Sequence, residues 1–188
     1  MKLTDSLSHI LQKEGVTHVF GLQGGAAVHI FDSLERLGIN VTYTHHEGSA
    51  ALAAAAHAKI TGELGCVVVT TGPATTNTIT GLLGAWQDSI PCIFISGQVR
   101  SNHTSYGRPV RQVGTQEVNI VDIVNSITKF AKFIDDKESF VDDLYHAISI
   151  AKDGRPGPVW IDIPLEFHWS DIQYNSVETR QNKYINTT

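Results

Sequence analysis

The chain has 188 residues, 41% of them apolar and 18% charged, which suits one globular domain and excludes a disordered, charge-driven polypeptide. Fourteen Lys and Arg against nineteen Asp and Glu give a formal charge of −5, so there is no cationic surplus for binding nucleic acid or an anionic membrane. No apolar stretch approaches the roughly 20 residues of a spanning helix, and no basic leader precedes an apolar segment, so a cytoplasmic protein is expected.

In chain order, short β-branched runs alternate with longer helical segments. Residues 17–22, 41–44, 66–71, 91–96 and 158–163 read as strands, and 4–14, 26–37, 47–61, 76–88, 116–124 and 139–152 as helices. The runs Cys66-Val67-Val68-Val69 and Cys92-Ile93-Phe94-Ile95 are apolar without alternation, as strands covered on both faces must be. The expected fold is therefore α/β: an open, doubly wound parallel sheet with helices on both faces. Thr4 is the expected N-cap of the first helix, and Gly15 and Gly38 stand where helices must stop and turn. Small side chains across 50–58 would let that helix approach a neighbour closely. Cys66 and Cys92 read as buried core residues, with neither a disulfide framework nor a zinc site expected. Residues 1–174 read as the domain, and the polar stretch 175–188 as a linker or tail.

In such a sheet, ligands bind beyond the C-terminal strand ends. The loops there are Phe20-Gly21-Leu22-Gln23-Gly24-Gly25, His45-His46-Glu47-Gly48, Thr70-Thr71-Gly72-Pro73-Ala74-Thr75-Thr76-Asn77 and Ser96-Gly97-Gln98-Val99. Their glycines permit close backbone approach to a ligand, and their amides and hydroxyls supply a few directed hydrogen bonds. The generic phosphate-cradling motifs and the G-x-S-x-G elbow are absent. His45 and His46 are adjacent and would point to opposite faces, so no metal site is expected in this chain. Glu47 stands at a strand-to-helix switch. An acid there either complements the helix dipole or, among glycine-rich loops, carries chemistry. Pro73 and Asn77 have plain readings too, as a turn former and a helix cap.

Together these loops resemble the N-terminal, pyrimidine-binding domain of thiamine diphosphate enzymes, most closely the acetolactate synthase branch. The resemblance also rests on Asp88-Ser89-Ile90-Pro91, Gln116-Glu117 and Gly154-Arg155-Pro156-Gly157-Pro158-Val159-Trp160-Ile161-Asp162-Ile163-Pro164, and spans nearly the whole chain. It implies that Glu47 hydrogen-bonds N1′ of the cofactor's aminopyrimidine, favouring the imino tautomer whose N4′ takes the thiazolium C2 proton. That chemistry asks for a carboxylate in a dry pocket, where the shared hydrogen bond is strong. It further implies that Gln23, Gly24, Pro73 and Asn77 line the pyrimidine pocket and that Gln116 reaches toward the reacting centre. Gln23 departs from the family's usual proline. His103 lies where related pyruvate decarboxylases carry a His pair, and reads here as a loop histidine.

The family holds the diphosphate through Mg²⁺ on a Gly-Asp-Gly motif and a later Asn pair, and this sequence has neither. The resemblance thus implies an incomplete enzyme, inert without a diphosphate-binding domain of the same or another chain, and a dimer acting on 2-oxo acids such as pyruvate. The helices over 47–61 and 76–88 are the candidate contacts. The alternatives are the small subunit of a split 2-oxo acid decarboxylase, or a non-catalytic α/β binding module that kept the fold without the chemistry.

Overall fold

The computed structural model describes residues 1–173; the stretch expected to be a linker lies outside them. Six strands form one sheet: β1 (His18–Leu22), β2 (Asn40–Tyr43), β3 (Gly65–Val69), β4 (Cys92–Gln98), β5 (Phe130–Phe133) and β6 (Val159–Pro164). Their order is β2-β1-β3-β4-β6-β5, and every pairing is parallel. β3, β4 and β6 are buried along their full length, in keeping with the apolar runs over 66–69 and 92–95, with Ser96, Gln98 and Asp162 as buried polar exceptions, whereas edge strand β2 is largely exposed. The helices are α1 (Leu3–Lys13), α2 (Val28–Arg36), α3 (Glu47–Thr61), α4 (Pro73–Asn77), α5 (Ile79–Gln87), α6 (Ile120–Val124) and α7 (Phe140–Lys152).

Two apolar cores separated by the sheet make the fold doubly wound. On one face Leu7, Ile10 and Leu11 of α1, Phe31 and Leu34 of α2 and Leu144 and Ile148 of α7 pack over Val19, Val68 and Ile161. On the other, the alanines of α3, Leu82 and Ala85 of α5 and Ile120 of α6 pack over Val67, Phe94 and Trp160. Phe94 and Trp160 are registered partners on β4 and β6, stacked 5.3 Å apart at 14°, and the Trp160 indole N–H donates to Ser96 Oγ at 2.9 Å. Removing that indole would cost about 3–5 kcal/mol. The alanine-rich α3 does approach its neighbour closely: a Cβ on Gly81 of α5 would lie 2.5 Å from Ala51 Cβ. Gly15 and Gly38 both have left-handed backbones where the helices end, and both cysteines are buried and free.

Four local expectations need correction. Thr4 is inside α1; its hydroxyl donates to the His168 carbonyl at 3.0 Å and accepts from Ser33 Oγ, so tertiary contacts claim it and Lys2 takes the cap position. The helix expected over 76–88 is two helices: α4 begins earlier, at Pro73, and the chain breaks at buried Thr78, whose hydroxyl bonds back to the Thr75 carbonyl at 2.7 Å. The helix expected over 116–124 shrinks to Ile120–Val124, because Gln116 adopts φ +60 and Asn119 caps the turn through the Asp122 N–H. Strand β5 was not expected; its Phe-Ala-Lys-Phe sequence is half-buried throughout, with Lys132 paired to Asp143 at 2.7 Å instead of contributing apolar surface. Among the described residues, no helix is long and apolar enough to cross a membrane.

Candidate functional site

The sheet order reverses between β1 and β3: from β1 the chain moves outward to β2, then returns to the other side of β1. The crevice at such a switch point is where an open α/β sheet has room for a ligand. An open cleft of about 510 Å³ lies there, lined by Gly24, Gly25, Thr70, Thr71, Val99, Arg100, His103, Gly114, Thr115, Gln116 and Leu165, among others. The Ala26 N–H donates to Thr70 Oγ1 at 3.0 Å and joins the loops after β1 and β3 across the switch.

Glu47 is the first residue of α3. His46 ahead of it is extended (φ −156°, ψ 137°), and its Nδ1 accepts the Gly48 N–H at 3.0 Å, so a histidine serves as the N-cap. The Glu47 carboxylate sits at the positive end of a 15-residue helix yet keeps only 9% of its surface exposed. Asn77, the last residue of α4, donates from Nδ2 to Glu47 Oε2 at 2.9 Å. Glu47 Oε1 takes no hydrogen bond from the described residues. The carboxylate is thus held at one oxygen and open at the other. The plain reading of Glu47 as a first-turn acid holds.

Gly72 connects this pair to the cleft. Its φ of +72° turns the chain out of β3 into Pro73, the first residue of α4, and a Cβ there would lie 1.9 Å from the Gln116 carbonyl oxygen. Gln116 itself is in the left-handed region, which costs a non-glycine residue about 1 kcal/mol or more. The contacts run from Gln116 through Gly72 and Pro73 to Asn77 and Glu47. Of the residues singled out in the sequence, Gly24 and Gln116 line the cleft, and Glu47 and Asn77 bond each other. Gln23 and Pro73 are exposed and belong to neither grouping; Pro73 opens a helix, as its plain reading held, and Asn77 caps none. His103 ends a 3-10 turn (Ser101–His103) and lines the cleft.

Beneath the cleft lies a carboxylate that the motif reading passed over. Asp162 on β6 is fully buried and accepts from Ser96 Oγ (2.5 Å) and Gln98 Nε2 (3.0 Å). The Tyr106 hydroxyl lies 3.3 Å from both Asp162 Oδ2 and the Val118 carbonyl, with one proton for the two. Gln98 Oε1 accepts from Thr71 Oγ1 (2.5 Å) and the Val99 N–H (2.9 Å), while Gln98 Nε2 also reaches the Val118 carbonyl at 3.0 Å. Burial pushes the Asp162 carboxyl up to about 6, against hydrogen bonds from Ser96, Gln98 and Tyr106 that pull it down. Burial and the neighbouring Asp162 charge likewise push the Tyr106 phenol upward. The network ties β3, β4 and β6 to both ends of the 99–118 excursion. The available signal was an acid within the apolar run Trp160-Ile161-Asp162-Ile163, since a charge in a buried strand must find partners.

Residues 1–123 match the family described as "Thiamine pyrophosphate enzyme, N-terminal TPP binding domain". The chain is 41% identical over 157 residues to the acetolactate synthase large subunit of Haemophilus influenzae, covering 83% of this chain and 26% of that protein. It is 40% identical over 170 residues to chloroplastic acetolactate synthase 2 of Nicotiana tabacum, covering 88% and 24% respectively. Against the large subunit of acetolactate synthase isozyme 2 from Escherichia coli it is 38% identical over 161 residues, covering 84% and 28%. The chain therefore spans about a quarter of the length of these relatives. With its switch-point cleft and its glutamate at the start of α3, the chain belongs to the thiamine pyrophosphate enzyme family, as the N-terminal TPP-binding domain.

Proposed function

We propose that this chain is the pyrimidine-binding half of a thiamine diphosphate enzyme that carries out acetolactate synthase-like carboligation of pyruvate. In this reading it is inert until a diphosphate-binding domain, of the same or another chain, completes the site. The observation that carries it is the Glu47 carboxylate: buried, held by Asn77 at one oxygen, and open at the other. That donor set fits an aminopyrimidine ring, whose N1′ can share a proton with a carboxylate in low-dielectric surroundings. When bound, thiamine diphosphate would supply the thiazolium C2 carbon acid, whose conjugate base is the nucleophile toward the 2-oxo carbon.

The chain's own residues do the rest. Glu47 Oε1 would hold the proton at N1′, with the Asn77 amide fixing the carboxylate through Oε2. Gln23, Gly24 and Pro73, on the loops after β1 and β3, would hold the pyrimidine, and Gln116 would act toward the reacting centre. Leu52 and Ile60 on α3 and Leu83 and Trp86 on α5 leave an apolar face, with Ile60 85% exposed, that a second domain of a cytoplasmic dimer would cover.

Replacing Glu47 by Gln in the assembled enzyme tests this. Exchange of the cofactor's C2 proton should slow by about 10²- to 10⁴-fold, the range of a lost proton-transfer group. Exchange and turnover at the parent rate would show instead a fold kept without the chemistry.

A further inference from the structure

The cleft at the β1/β3 switch point is rich in donors and has no acid in its lining. Arg100 and His103 are among its lining residues, and no Asp or Glu is. Across 99–116 the chain carries Arg100, Arg108 and Arg111 and no acidic residue, in a protein whose net charge is −5. None of these arginines is in an ion pair, and the Arg100 guanidinium makes no hydrogen bond among the described residues. Two carboxylates reach the loop's backbone, each through one oxygen, and the Oε2 of each is buried with no hydrogen-bond partner among the described residues. Glu117 Oε1 accepts the Ser105 and Val113 N–H groups, both at 3.0 Å, and Glu166 Oε1 accepts the Ser101 N–H and hydroxyl.

The backbone agrees. The N–H groups of Gly24, Gly25, Thr115 and Gln116, all lining residues, donate to no acceptor among the described residues, nor does the Thr70 hydroxyl proton. A concave site with a free guanidinium, free amides and no carboxylate among its described lining residues has the chemistry of an anion site, and a planar guanidinium suits a carboxylate in particular. The left-handed turn at Gln116 and its contact with Gly72 hold this part of the loop over the cleft.

We propose that this cleft is the subsite that receives the carboxylate of the 2-oxo acid, with Arg100 as the residue that reads its charge. The assignment rests on the proposed function for the identity of the acid. Arg100 pairs with the carboxylate, the free amides after β1 and in the loop at 114–116 complete its hydrogen bonds, and the 2-oxo carbon is left on the side of Gln116.

The test is titration of the isotope-labelled chain with pyruvate and with its uncharged methyl ester, followed through backbone amide resonances, with sodium chloride matched for ionic strength. Pyruvate should move the resonances of Gly24, Gly25, Thr115 and Gln116, and the ester should not. Arg100→Gln, an exposed position whose loss leaves the spectrum otherwise folded, should weaken pyruvate binding about tenfold or more, and Arg100→Lys should restore part of it. Equal binding of acid and ester, shifts reproduced by chloride, or pyruvate binding unchanged in Arg100→Gln would each overturn the subsite. Glu47→Gln separates the two claims: it should leave pyruvate binding to the chain intact while abolishing cofactor activation in the assembled enzyme. Retained activation in Glu47→Gln with Arg100-dependent pyruvate binding would sink the functional reading and keep the subsite.

Discussion

Two of the buried carboxylates of this domain, Asp162 and Glu47, are built on opposite principles. Asp162 is saturated: Ser96, Gln98 and Tyr106 all face it, it is fully buried, and it sits in the middle of a covered strand. Glu47 is left unfinished, bonded once by Asn77 and placed at a helix start where one oxygen remains to be used. A saturated buried acid organises the protein around itself, whereas an unsaturated one is available to something else. The contrast implies that the two should respond to substitution in opposite ways, one in chemistry and the other in folding.

The largest effect expected follows directly. Glu47→Gln should cost the assembled enzyme about 10²- to 10⁴-fold in cofactor activation while changing folding stability by about 1 kcal/mol at most, since the charge–dipole contact at the α3 start is lost and the Asn77 bond passes from a carboxylate to an amide oxygen. Asp162→Ala should do the reverse, destabilising the chain by about 3 kcal/mol or more because Ser96 loses its acceptor in a dry interior, Gln98 and Tyr106 are left to share the Val118 carbonyl, and a cavity opens between them. Urea unfolding of both variants checks the pair, and the contrast collapses if Glu47→Gln proves the more destabilising.

A pH experiment sharpens it. The folded Asp162 carboxyl lies at about 6 against an ordinary 3.8, so the folded chain binds its proton more readily than the unfolded chain does. Ionised Asp162 therefore opposes folding above about pH 6, and that cost is relieved as the pH falls from about 6 to about 4. The full difference is about 3 kcal/mol. Measured against Asp162→Asn, which cannot titrate, the parent should gain stability over that window. A constant difference between pH 4 and 7 would mean that the network holds the carboxylate ionised at its ordinary value.

How much of this was readable from sequence differs between the two acids for the same reason. Glu47 follows a strand and precedes Gly48 and an alanine-rich helix, so local pattern marks it as exceptional. The unalternating Val and Ile runs likewise gave the covered parallel strands. Asp162 is surrounded by ordinary strand residues, and its meaning comes from Ser96, 66 residues away in the chain, and from Tyr106, 56 away. Thr4 misled for a related reason: its residue type favours a cap, but a carbonyl 164 residues distant takes its hydroxyl. Local propensity speaks for the backbone a residue prefers, and long-range hydrogen bonds decide which preference survives.

Gly72→Ala should give the next effect in size. The new methyl would meet the Gln116 carbonyl in a left-handed backbone, and the turn into α4 would have to shift. A loss of about 2 kcal/mol or more is expected, with α4 and therefore Asn77 displaced from Glu47. Activity should fall with stability here, unlike in Glu47→Gln, because the substitution disturbs the link between the cleft and the carboxylate.

The smallest effect isolates that link from the opposite side. Gln116 holds a left-handed backbone that costs a side-chain-bearing residue about 1 kcal/mol, and glycine would remove the cost. Glycine also enlarges the freedom of the unfolded chain, at a cost of about 0.4–1 kcal/mol, so the two terms nearly cancel. Gln116→Gly should therefore leave the midpoint of urea unfolding almost unchanged, while Gln116→Ala, which keeps the strain, should lie no higher. Both should impair the assembled enzyme alike, since both remove the side-chain amide of a residue that lines the cleft. If Gln116→Gly instead unfolds much earlier than the parent, the side chain is holding the loop together, and its place at the cleft reflects packing.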